Sequence, residues 1–421
     1  MQLQEVITLL NPWWKEGNVP LNLKKEYKRK IFPVLIKRLE HRQIIVLSGL
    51  RRVGKTTLLY QTIADLLQNN NPLNVFYFNF DKQVEQLISV LDAYTAITSI
   101  DWKKEEIFIF LDEMVKLPNW ARELKLIYDA FPNIHFIVSS SSSMQLETEA
   151  LSFLGGRYFL LTLMPLHFVE FLELTGNTKV LKNPALFQKE MQQLFQEYTL
   201  RSFPEIVTWS DPLLVKDYLR TTIIDKIVKL DLQERYTHLN KDLLFTLLDL
   251  FYGEPGTYID YDSFSKKFRI SKKTLFDHIF YLSSAYLIRH IKNFRPSISA
   301  SSRKMQRIYP YWWSLAYCYT DNNDKIMENA VISYADALYY WREQSKEIDM
   351  LLVKGKEYIP IEVKNKKELH DSDASVLFYF LEKYKVSQGF IIYFGEQKEL
   401  KRGNVVVHCI PFWKWFTEQR M

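Results

Sequence analysis

A glycine-bearing octapeptide between an apolar run and a helical pattern carries the strongest chemical signal in the chain. It runs from Gly49 to Thr56 as Gly-Leu-Arg-Arg-Val-Gly-Lys-Thr. The two glycines permit a curvature at which backbone N–H groups converge on phosphate oxygens, and the following helix adds its positive dipole. In such a loop Lys55 reaches the β- and γ-phosphates, while the Thr56 hydroxyl binds Mg²⁺. We therefore predict a site for a nucleoside triphosphate.

An acidic pair at the end of a later apolar run is the expected partner of this loop. The run Ile107–Leu111 leads directly into Asp112 and Glu113. We predict that Asp112 holds Mg²⁺ together with Thr56, and that Glu113 polarises the attacking water. The alternative is an ordinary solvated loop that starts at the end of a strand.

Several further polar residues are candidates for the same site. Arg51 and Arg52 lie inside the loop and either contact phosphate or face solvent. Ser139 follows another apolar run, where it touches the γ-phosphate or the attacking water, or else caps a helix or lies in a flexible turn. Arg157 supplies transition-state charge, in cis or to a neighbouring subunit, or forms a structural salt bridge. The predicted nucleotide-binding set is Gly49, Arg52, Gly54, Lys55, Thr56, Thr57 and Ser139.

A second pair of carboxylates stands near the end of the chain, in two β-like runs joined by a four-residue loop. If Val353 pairs with Tyr358, Asp349 lies opposite Glu362, and the alternation of a strand places Lys364 on the same face. Two facing carboxylates repel each other, so the arrangement requires a cation or a shifted pKa.

The order of apolar runs indicates the elements that position these residues. From about Gln43 to Leu163, continuous runs of four to five apolar residues alternate with helical patterns, which is typical of a buried parallel sheet. A mostly helical stretch follows, then short helices with β-rich sequence, then a renewed α/β order. The predicted parts are 1–35, 36–165, 166–250, 251–308 and 309–421.

Length, composition and charge narrow the class of protein. The chain has 421 residues, 47% hydrophobic residues and two cysteines, which predicts several folded cores and no disulfide framework. The absence of a basic leader and of an apolar run of spanning length predicts a soluble, cytoplasmic protein without a membrane partner. Between Gly256 and Ile308 stand eleven Lys and Arg against three Asp, a net charge of +8 in a chain of +6.

This basic segment predicts a nucleic-acid partner. Ser271 is the expected N-cap of a helix whose buried stripe is Leu275, Ile279 and Leu282. Helix, turn, helix and hairpin is the winged-helix order, in which the second helix enters a major groove. The alternatives are a basic surface that docks on the rest of the chain, or a protein contact.

The motifs together resemble the AAA-like P-loop ATPases of bacteria and archaea that carry a C-terminal nuclease-like domain of uncertain role. The resemblance rests on Asn-Pro-Trp-Trp (11–14), the phosphate loop, Leu-Asp-Glu-Met-Val-Lys-Leu-Pro-Asn-Trp (111–120), Gly-Gly-Arg-Tyr-Phe (155–159), Met-Pro-Leu-His-Phe-Val-Glu-Phe (164–171), Ser-Phe-Pro-Glu (202–205) and Glu-Ile-Asp…Ile-Glu-Val-Lys (347–364). It departs from the family at Ser139-Ser140-Ser141, where Thr-Gly-Ser is usual.

The resemblance implies ATP with Mg²⁺ and an ATP-driven switch or motor. Asp349, Glu362 and Lys364, with Glu328 upstream, are similar to a PD-(D/E)XK nuclease core, in which the acids bind Mg²⁺ and the lysine orients water. The predicted fold is α/β: a P-loop parallel-sheet ATPase core, a helical lid, a winged-helix module and a nuclease-like α/β domain. We expect DNA to bind at residues 256–308. We also expect that the chain can form a homo-oligomer. The alternative is an ATP-dependent scaffold switch that binds proteins without cutting DNA.

Overall fold

The computed structural model describes residues 2–141, 143–236, 239–295, 305–355 and 357–418. The chain divides into two compact units, Met1–Pro165 and Leu166–Met421. The α/β class is confirmed, because one unit holds a five-stranded parallel sheet and the other a nine-stranded mixed sheet. Arg303 and Lys304 of the predicted basic segment lie outside the described residues. No helix in the described ranges has both the length and the apolar character needed to cross a bilayer.

The first unit alternates strands and helices along the chain. Its helices are α1 (Leu3–Leu10), α2 (Trp13–Glu16), α3 (Leu21–Lys24), α4 (Phe32–Leu39), α5 (Lys55–Leu66), α6 (Leu87–Thr98), α7 (Trp120–Ala130) and α8 (Ser143–Phe153). Its strands are β1 (Ile44–Ser48), β2 (Val75–Asn79), β3 (Ile107–Asp112), β4 (Ile134–Ser139) and β5 (Tyr158–Thr162), in the spatial order β2-β3-β4-β1-β5.

The buried strands of this sheet explain its continuous apolar runs. Every residue of β1 is buried, and so are most of β3 and β4, because helices cover both faces of a parallel sheet. In a parallel sheet the carboxyl ends of all strands meet at one edge. That edge therefore receives the loop after β1, the acidic pair after β3 and the serines after β4.

Side chains from the N-terminal segment cover the open edge of this sheet. Asn11 imitates a neighbouring strand: its Nδ2 donates to Tyr77 O at 2.9 Å, and its Oδ1 accepts from Tyr77 N at 2.7 Å. The indoles of Trp13 and Trp14 both donate to Val75 O. An unpaired edge strand invites pairing with other chains, so these contacts close the sheet at β2.

The second unit is mostly helical before it becomes β-rich. Its helices are α9 (Phe168–Leu174), α10 (Thr178–Lys182), α11 (Gln188–Leu200), α12 (Pro212–Tyr218), α13 (Leu232–Arg235), α14 (Lys241–Gly253), α15 (Tyr261–Phe268), α16 (Lys272–Ser284), α17 (Asn323–Tyr334), α18 (Ser375–Tyr384) and α19 (Phe412–Glu418). Its strands are β6 (Thr257–Ile259), β7 (Ile288–Asn293), β8 (Gln306–Pro310), β9 (Tyr339–Glu343), β10 (Lys346–Lys354), β11 (Glu357–Lys364), β12 (Gln388–Tyr393), β13 (Lys398–Arg402) and β14 (Val405–Pro411).

One sheet runs through the whole β-rich part of this unit, in the order β13-β14-β12-β11-β10-β9-β7-β8-β6. The parallel pairing of β7 with β9, at Lys292 and Tyr339, joins the basic segment to the C-terminal strands. The boundaries predicted within 166–421 therefore stay predictions. The hairpin of β10 and β11 pairs Val353 with Tyr358, which confirms the predicted register.

Candidate functional site

The phosphate loop lies between the buried strand β1 and helix α5, and both of its glycines have positive φ. Gly49 has φ 142°, and a Cβ there would lie 2.2 Å from Leu163 O. Any other residue would therefore displace the backbone that follows β5. Gly54 has φ 99° with nothing within 4 Å of a built Cβ. Here the left-handed backbone, not space, favours glycine. Arg52, at φ 65°, is exposed, and Thr57 is half-buried in the first turn of α5.

Lys55 holds its positive charge against the loop itself. Its side chain is buried, and Nζ donates to Gly49 O at 2.7 Å and to Leu50 O at 2.8 Å. The ammonium group is thus fixed beside the backbone that would wrap a phosphate. This placement fits a loop whose lysine acts on an anion.

The carboxylate of Asp112 accepts hydrogen bonds from side chains of three other elements, α5, β2 and β4. Its Oδ2 accepts from Thr56 Oγ1 at 2.7 Å and from Tyr77 OH at 3.0 Å. Its Oδ1 accepts from Ser139 Oγ and from the backbone N of Glu113. The structure therefore brings Thr56, Asp112 and Ser139 together at the carboxyl edge of the sheet. Thr56 and Asp112 are oxygen donors of the kind that Mg²⁺ prefers.

Glu113 is held by the serines that follow β4. Its carboxylate accepts from Ser141 N at 3.1 Å, from Ser141 Oγ at 3.0 Å and from Ser140 Oγ at 3.2 Å. Burial, and then the charge of Asp112, raise the pKa of this carboxyl, while Lys55 and Ser141 partly oppose the rise. A raised pKa makes a carboxylate a better proton acceptor at neutral pH.

Arg157 does not lie with these groups. Its neighbour Tyr158 pairs with Ile44 at the first residue of β1, whereas the phosphate loop follows the last residue, Ser48. Arg157 therefore stands at the opposite edge of the sheet, where its Nε donates to Asp129 at 2.7 Å. This register argues against the predicted cis role, while a role toward a neighbouring subunit stays a prediction.

Two residues at this site gave no functional signal in the sequence. Arg29, in a basic stretch that looks solvated, is buried, and its guanidinium donates to Val53 O, Met164 O and Pro165 O at 2.9 to 3.2 Å. It ties the phosphate loop to the exit of β5. Tyr77 looks like a core residue of a strand, yet it donates to Asp112. Burial raises the pKa of Tyr77 well above its usual value, and the charge of Asp112 raises it further.

The second pair of carboxylates lies on the hairpin of the second unit. Asp349 Oδ2 accepts from Val363 N, and Lys364 Nζ donates to Glu362 Oε2, both at 2.9 Å. Burial raises the pKa of both carboxyls, and the charge of Asp349 raises that of Glu362 further. Burial alone would lower the pKa of Lys364, but Glu362 and Asp349 outweigh it, so the pKa is raised.

The upstream acid Glu328 has partners of its own. Its Oε1 accepts from Arg307 at 2.6 Å and from Tyr309 OH at 2.5 Å, and its Oε2 accepts from Lys325 at 3.0 Å. Arg307 also pairs with Glu347 at 3.0 Å. Among the described residues, no three His, Cys, Asp or Glu side chains are arranged to hold a metal. A cation at Asp349 and Glu362 would therefore need water as its remaining ligands.

The basic segment divides into exposed and buried cations. Arg307 and Arg289 are both buried, and Arg289 pairs with Asp336, so these two arginines do not present a surface. The exposed cations on or beside α15, α16 and β7 are Lys266, Lys267, Arg269, Lys272, Lys273 and Lys292. The Ser271 side chain caps α16 as predicted, and the predicted stripe of that helix is buried. Phe276 and Phe280 are also exposed, at 57% and 41%.

Three family models match successive segments of the chain. Residues 41–172 match the model described as AAA domain. Residues 192–325 and 324–415 match two domains of unknown function, DUF8612 and DUF4143. The part of the first unit from residue 41 onward is thus similar to an AAA domain. The predicted winged-helix and nuclease-like parts receive no such support.

Similar proteins and structures add little about activity. Two uncharacterised proteins of Methanocaldococcus jannaschii are 28% and 27% identical, covering 89% and 68% of this chain and 88% and 65% of their own lengths. The Aeropyrum pernix ORC2 protein in its ADP form has a TM-score of 0.34 at 13% identity, covering 71% of this chain and 93% of that one. Caenorhabditis elegans PCH-2 has a TM-score of 0.25 at 11% identity, covering 43% and 47%. At TM-scores below 0.5 these likenesses support no conclusion about this chain.

The contacts of Arg29 lead to a first prediction. Arg29→Ala removes three hydrogen bonds that hold Val53 and the exit of β5, so the phosphate loop loses its fixed shape. We expect the dissociation constant for ATP, measured by titration, to rise about tenfold, or about 1.4 kcal/mol, with a smaller change in kcat. Arg29→Lys should recover part of the affinity. Arg38→Ala is the matched control, because the half-buried Arg38 also donates to a carbonyl of β5, that of Leu160, but does not contact the phosphate loop among the hydrogen bonds described. Equal effects of the Arg29 and Arg38 variants would contradict the assignment.

Proposed function

We propose that this chain binds and hydrolyses ATP in its first unit and acts on or along DNA through its second. The observation that carries the first half is the Asp112 carboxylate, which joins the Thr56 hydroxyl of the phosphate loop to Ser139 at the end of the neighbouring strand. The match of residues 41–172 to the AAA domain supports the same half.

Each residue of the site has a distinct part in this proposal. Lys55 and the backbone N–H groups of the loop bind the phosphates, and Thr56 with Asp112 would hold Mg²⁺. When bound, Mg²⁺ neutralises phosphate charge. Glu113 accepts a proton from the attacking water at its carboxylate oxygens, which the hydrogen bonds of Ser140 and Ser141 orient. Ser139 keeps the Asp112 carboxylate in place.

Substitution of Lys55 and Glu113 separates binding from hydrolysis. Lys55→Ala should weaken ATP binding at least about tenfold, because a charged contact to phosphate is lost. Glu113→Gln should bind ATP with near wild-type affinity but hydrolyse it about 10²- to 10⁴-fold more slowly. Binding by titration and phosphate release measure the two effects. The exposed controls Lys37→Ala and Glu40→Gln should change neither. Wild-type turnover by Glu113→Gln would remove Glu113 as the base.

The exposed cations around α15 and α16 support the DNA half of the proposal. The order of β6, α15, α16, β7 and β8 fits the winged-helix arrangement, in which α16 would enter a groove. Lys273, Phe276 and Phe280 have spacings that place them on one face of α16.

The exposed rings of Phe276 and Phe280 favour the second candidate function, a scaffold that binds protein partners, since aromatic side chains are enriched at protein interfaces.

A charge reversal tests which partner this surface takes. The double variant Lys272→Glu, Lys273→Glu changes the local charge by four units, so it should abolish binding of duplex DNA, measured by fluorescence anisotropy. Wild-type affinity should also fall steeply as salt rises. Lys182→Glu, Lys189→Glu is the control, with the same charge change at exposed positions of the same unit. Equal loss in both double variants would indicate a merely diffuse charge effect, and unchanged binding in the first would exclude this surface.

The half-buried Asp349 and the buried Glu362 are proposed as a Mg²⁺ site for phosphodiester cleavage, with Lys364 orienting water. Burial raises the pKa of Glu362, and repulsion from the Asp349 carboxyl raises it further; a divalent cation would relieve that repulsion. Two carboxylates and several waters are an ordinary ligand set for Mg²⁺. Glu328, held by Arg307 and Lys325, is not included among the ligands.

Metal titration and a nicking assay test this site. Asp349→Asn and Glu362→Gln should each lose Mn²⁺ binding and abolish Mn²⁺-dependent nicking of supercoiled DNA. Asp349→Asn should also raise the melting temperature of the metal-free protein, because one of two repelling groups becomes neutral while the ion pair of Lys364 with Glu362 is kept. Asp371→Asn and Glu382→Gln, both exposed in the same unit, are controls. If the wild type neither binds Mn²⁺ nor nicks DNA, the scaffold function takes precedence.

A further inference from the structure

A cavity of about 250 Å³ opens in the second unit, and its wall includes Asn365, the residue after Lys364. Its walls come from α11, from the 3-10 helix Trp313–Cys318, from α17 and from the residues that follow β11 and β12. The volume is below that of most drug-sized pockets. It therefore suits a single small ring system or one polar side group.

The hydroxyl groups in the wall leave one acceptor for a ligand. Thr199 Oγ1 donates its only proton to Gln196 O at 2.7 Å, and it lies 2.9 Å from Tyr317 OH. Tyr317 must therefore be the donor of that second bond, since a threonine hydroxyl has one hydrogen. The Tyr317 oxygen keeps lone pairs for a ligand N–H or O–H group.

Amide side chains provide the remaining polar contacts. Asn365 Nδ2 donates to Asp324 at 2.6 Å, which orients the amide and leaves its Oδ1 toward other partners. Asn323 and Gln196 also line the cavity, each with a donor and an acceptor. Of the described residues that form the wall, none carries a charge, so the bound part of a ligand is neutral.

Two apolar side chains complete the cavity. Phe394 provides an aromatic ring, and Met327 provides a polarizable thioether that packs well on ring faces. Neutral amides, a hydroxyl acceptor and flat apolar contacts are the groups with which proteins bind an unstacked nucleobase. A peptide amide would use the polar groups but would gain less from the aromatic ring.

The position of the cavity favours a base over other small rings. Asn365 directly follows Lys364, so one wall of the cavity stands next to the residue that would orient water in the proposed cleavage site. Consecutive Cα atoms are about 3.8 Å apart. A nucleotide whose phosphate lies at Lys364 would therefore have its base within reach of this cavity.

We propose that this cavity, lined by Tyr317, Asn365, Met327 and Phe394, binds a single unstacked nucleobase of a DNA strand whose backbone passes the hairpin carboxylates. The inference rests on the proposed association with DNA. It adds a base-binding subsite, which would make the second unit act on single-stranded or locally opened DNA.

Binding of free nucleosides tests the cavity without relying on DNA. Thymidine and cytidine are titrated into the full chain with saturating ADP and Mg²⁺, which occupy the phosphate loop, and binding is followed by equilibrium dialysis. The wild type should bind saturably. Gln196→Trp, which fills the cavity from an exposed position, should abolish binding, whereas Gln193→Trp, exposed on the same helix, should not. No saturable binding by the wild type, or equal binding by Gln196→Trp, would overturn the proposal.

A conservative pair of variants checks the hydroxyl contact. Tyr317→Phe should weaken thymidine binding about tenfold, because one hydrogen bond to the ligand is lost. Tyr319→Phe removes a hydroxyl that has no hydrogen-bond partner among the described residues, so binding should not change. Equal effects of the two substitutions would remove Tyr317 from the site.

Oligonucleotides separate this inference from the proposed function. Wild type should bind a single strand about tenfold more tightly than the same strand with abasic sites, and Gln196→Trp should bind both alike. Nucleoside binding without any DNA binding would leave the cavity as a nucleoside site and refute the association with DNA. DNA binding that ignores both abasic sites and Gln196→Trp would refute the cavity and leave that association standing.

Discussion

The first unit depends on one buried carboxylate and the directions from which its hydrogen bonds arrive. Asp112 ends a central strand and receives hydroxyl hydrogens from Thr56, Tyr77 and Ser139, which lie on a helix and two other strands. A buried carboxylate without partners would be costly, so these donors fix the relative positions of β2, β3, β4 and α5. The same contacts place the phosphate loop beside the end of β3, where Glu113 follows. The hydrogen bonds to Asp112 thus stabilise the fold of the first unit and also fix the geometry of its site.

How far the sequence predicts this arrangement depends on how local each interaction is. The parallel sheet follows from continuous apolar runs, and the hairpin register follows from its short loop, so both predictions are confirmed. Asn11, which covers the sheet edge at Tyr77, and Arg29, which supports the phosphate loop, pair with backbone groups far away in the chain. Every residue has a backbone carbonyl, so the pattern of residue types in the sequence cannot predict which carbonyl a distant side chain will contact.

Counting charges misjudged part of the basic segment for a related reason. Eleven cations predict a polyanion partner, yet Arg307 is 3% exposed and neutralises Glu328 and Glu347 inside the second unit. A sum over a segment assigns every cation to the surface, whereas a buried arginine needs carboxylate partners. The exposed lysines of α15 and α16 are the residues to which the original expectation still applies. Their neighbours Phe276 and Phe280 make that surface less purely electrostatic than the count suggested.

The two buried acidic sites balance their charges by different means, and the difference bears on cations. The described partners of Asp112 are all neutral donors. The cation that offsets the negative charge near the phosphate loop is therefore Lys55, whose charge lowers the pKa of the neighbouring Glu113. That arrangement suits a site which gains a metal together with an anionic ligand. Glu328 already has Arg307 and Lys325 as partners, and Lys364 serves Glu362. Built-in cations lower the attraction for a further one, because each reduces the local negative potential. Any divalent ion in the second unit should therefore bind more weakly than in the first. Asp349 accepts from Val363 N and forms no ion pair among the described residues, so it is the carboxylate on which the binding of such an ion would depend most.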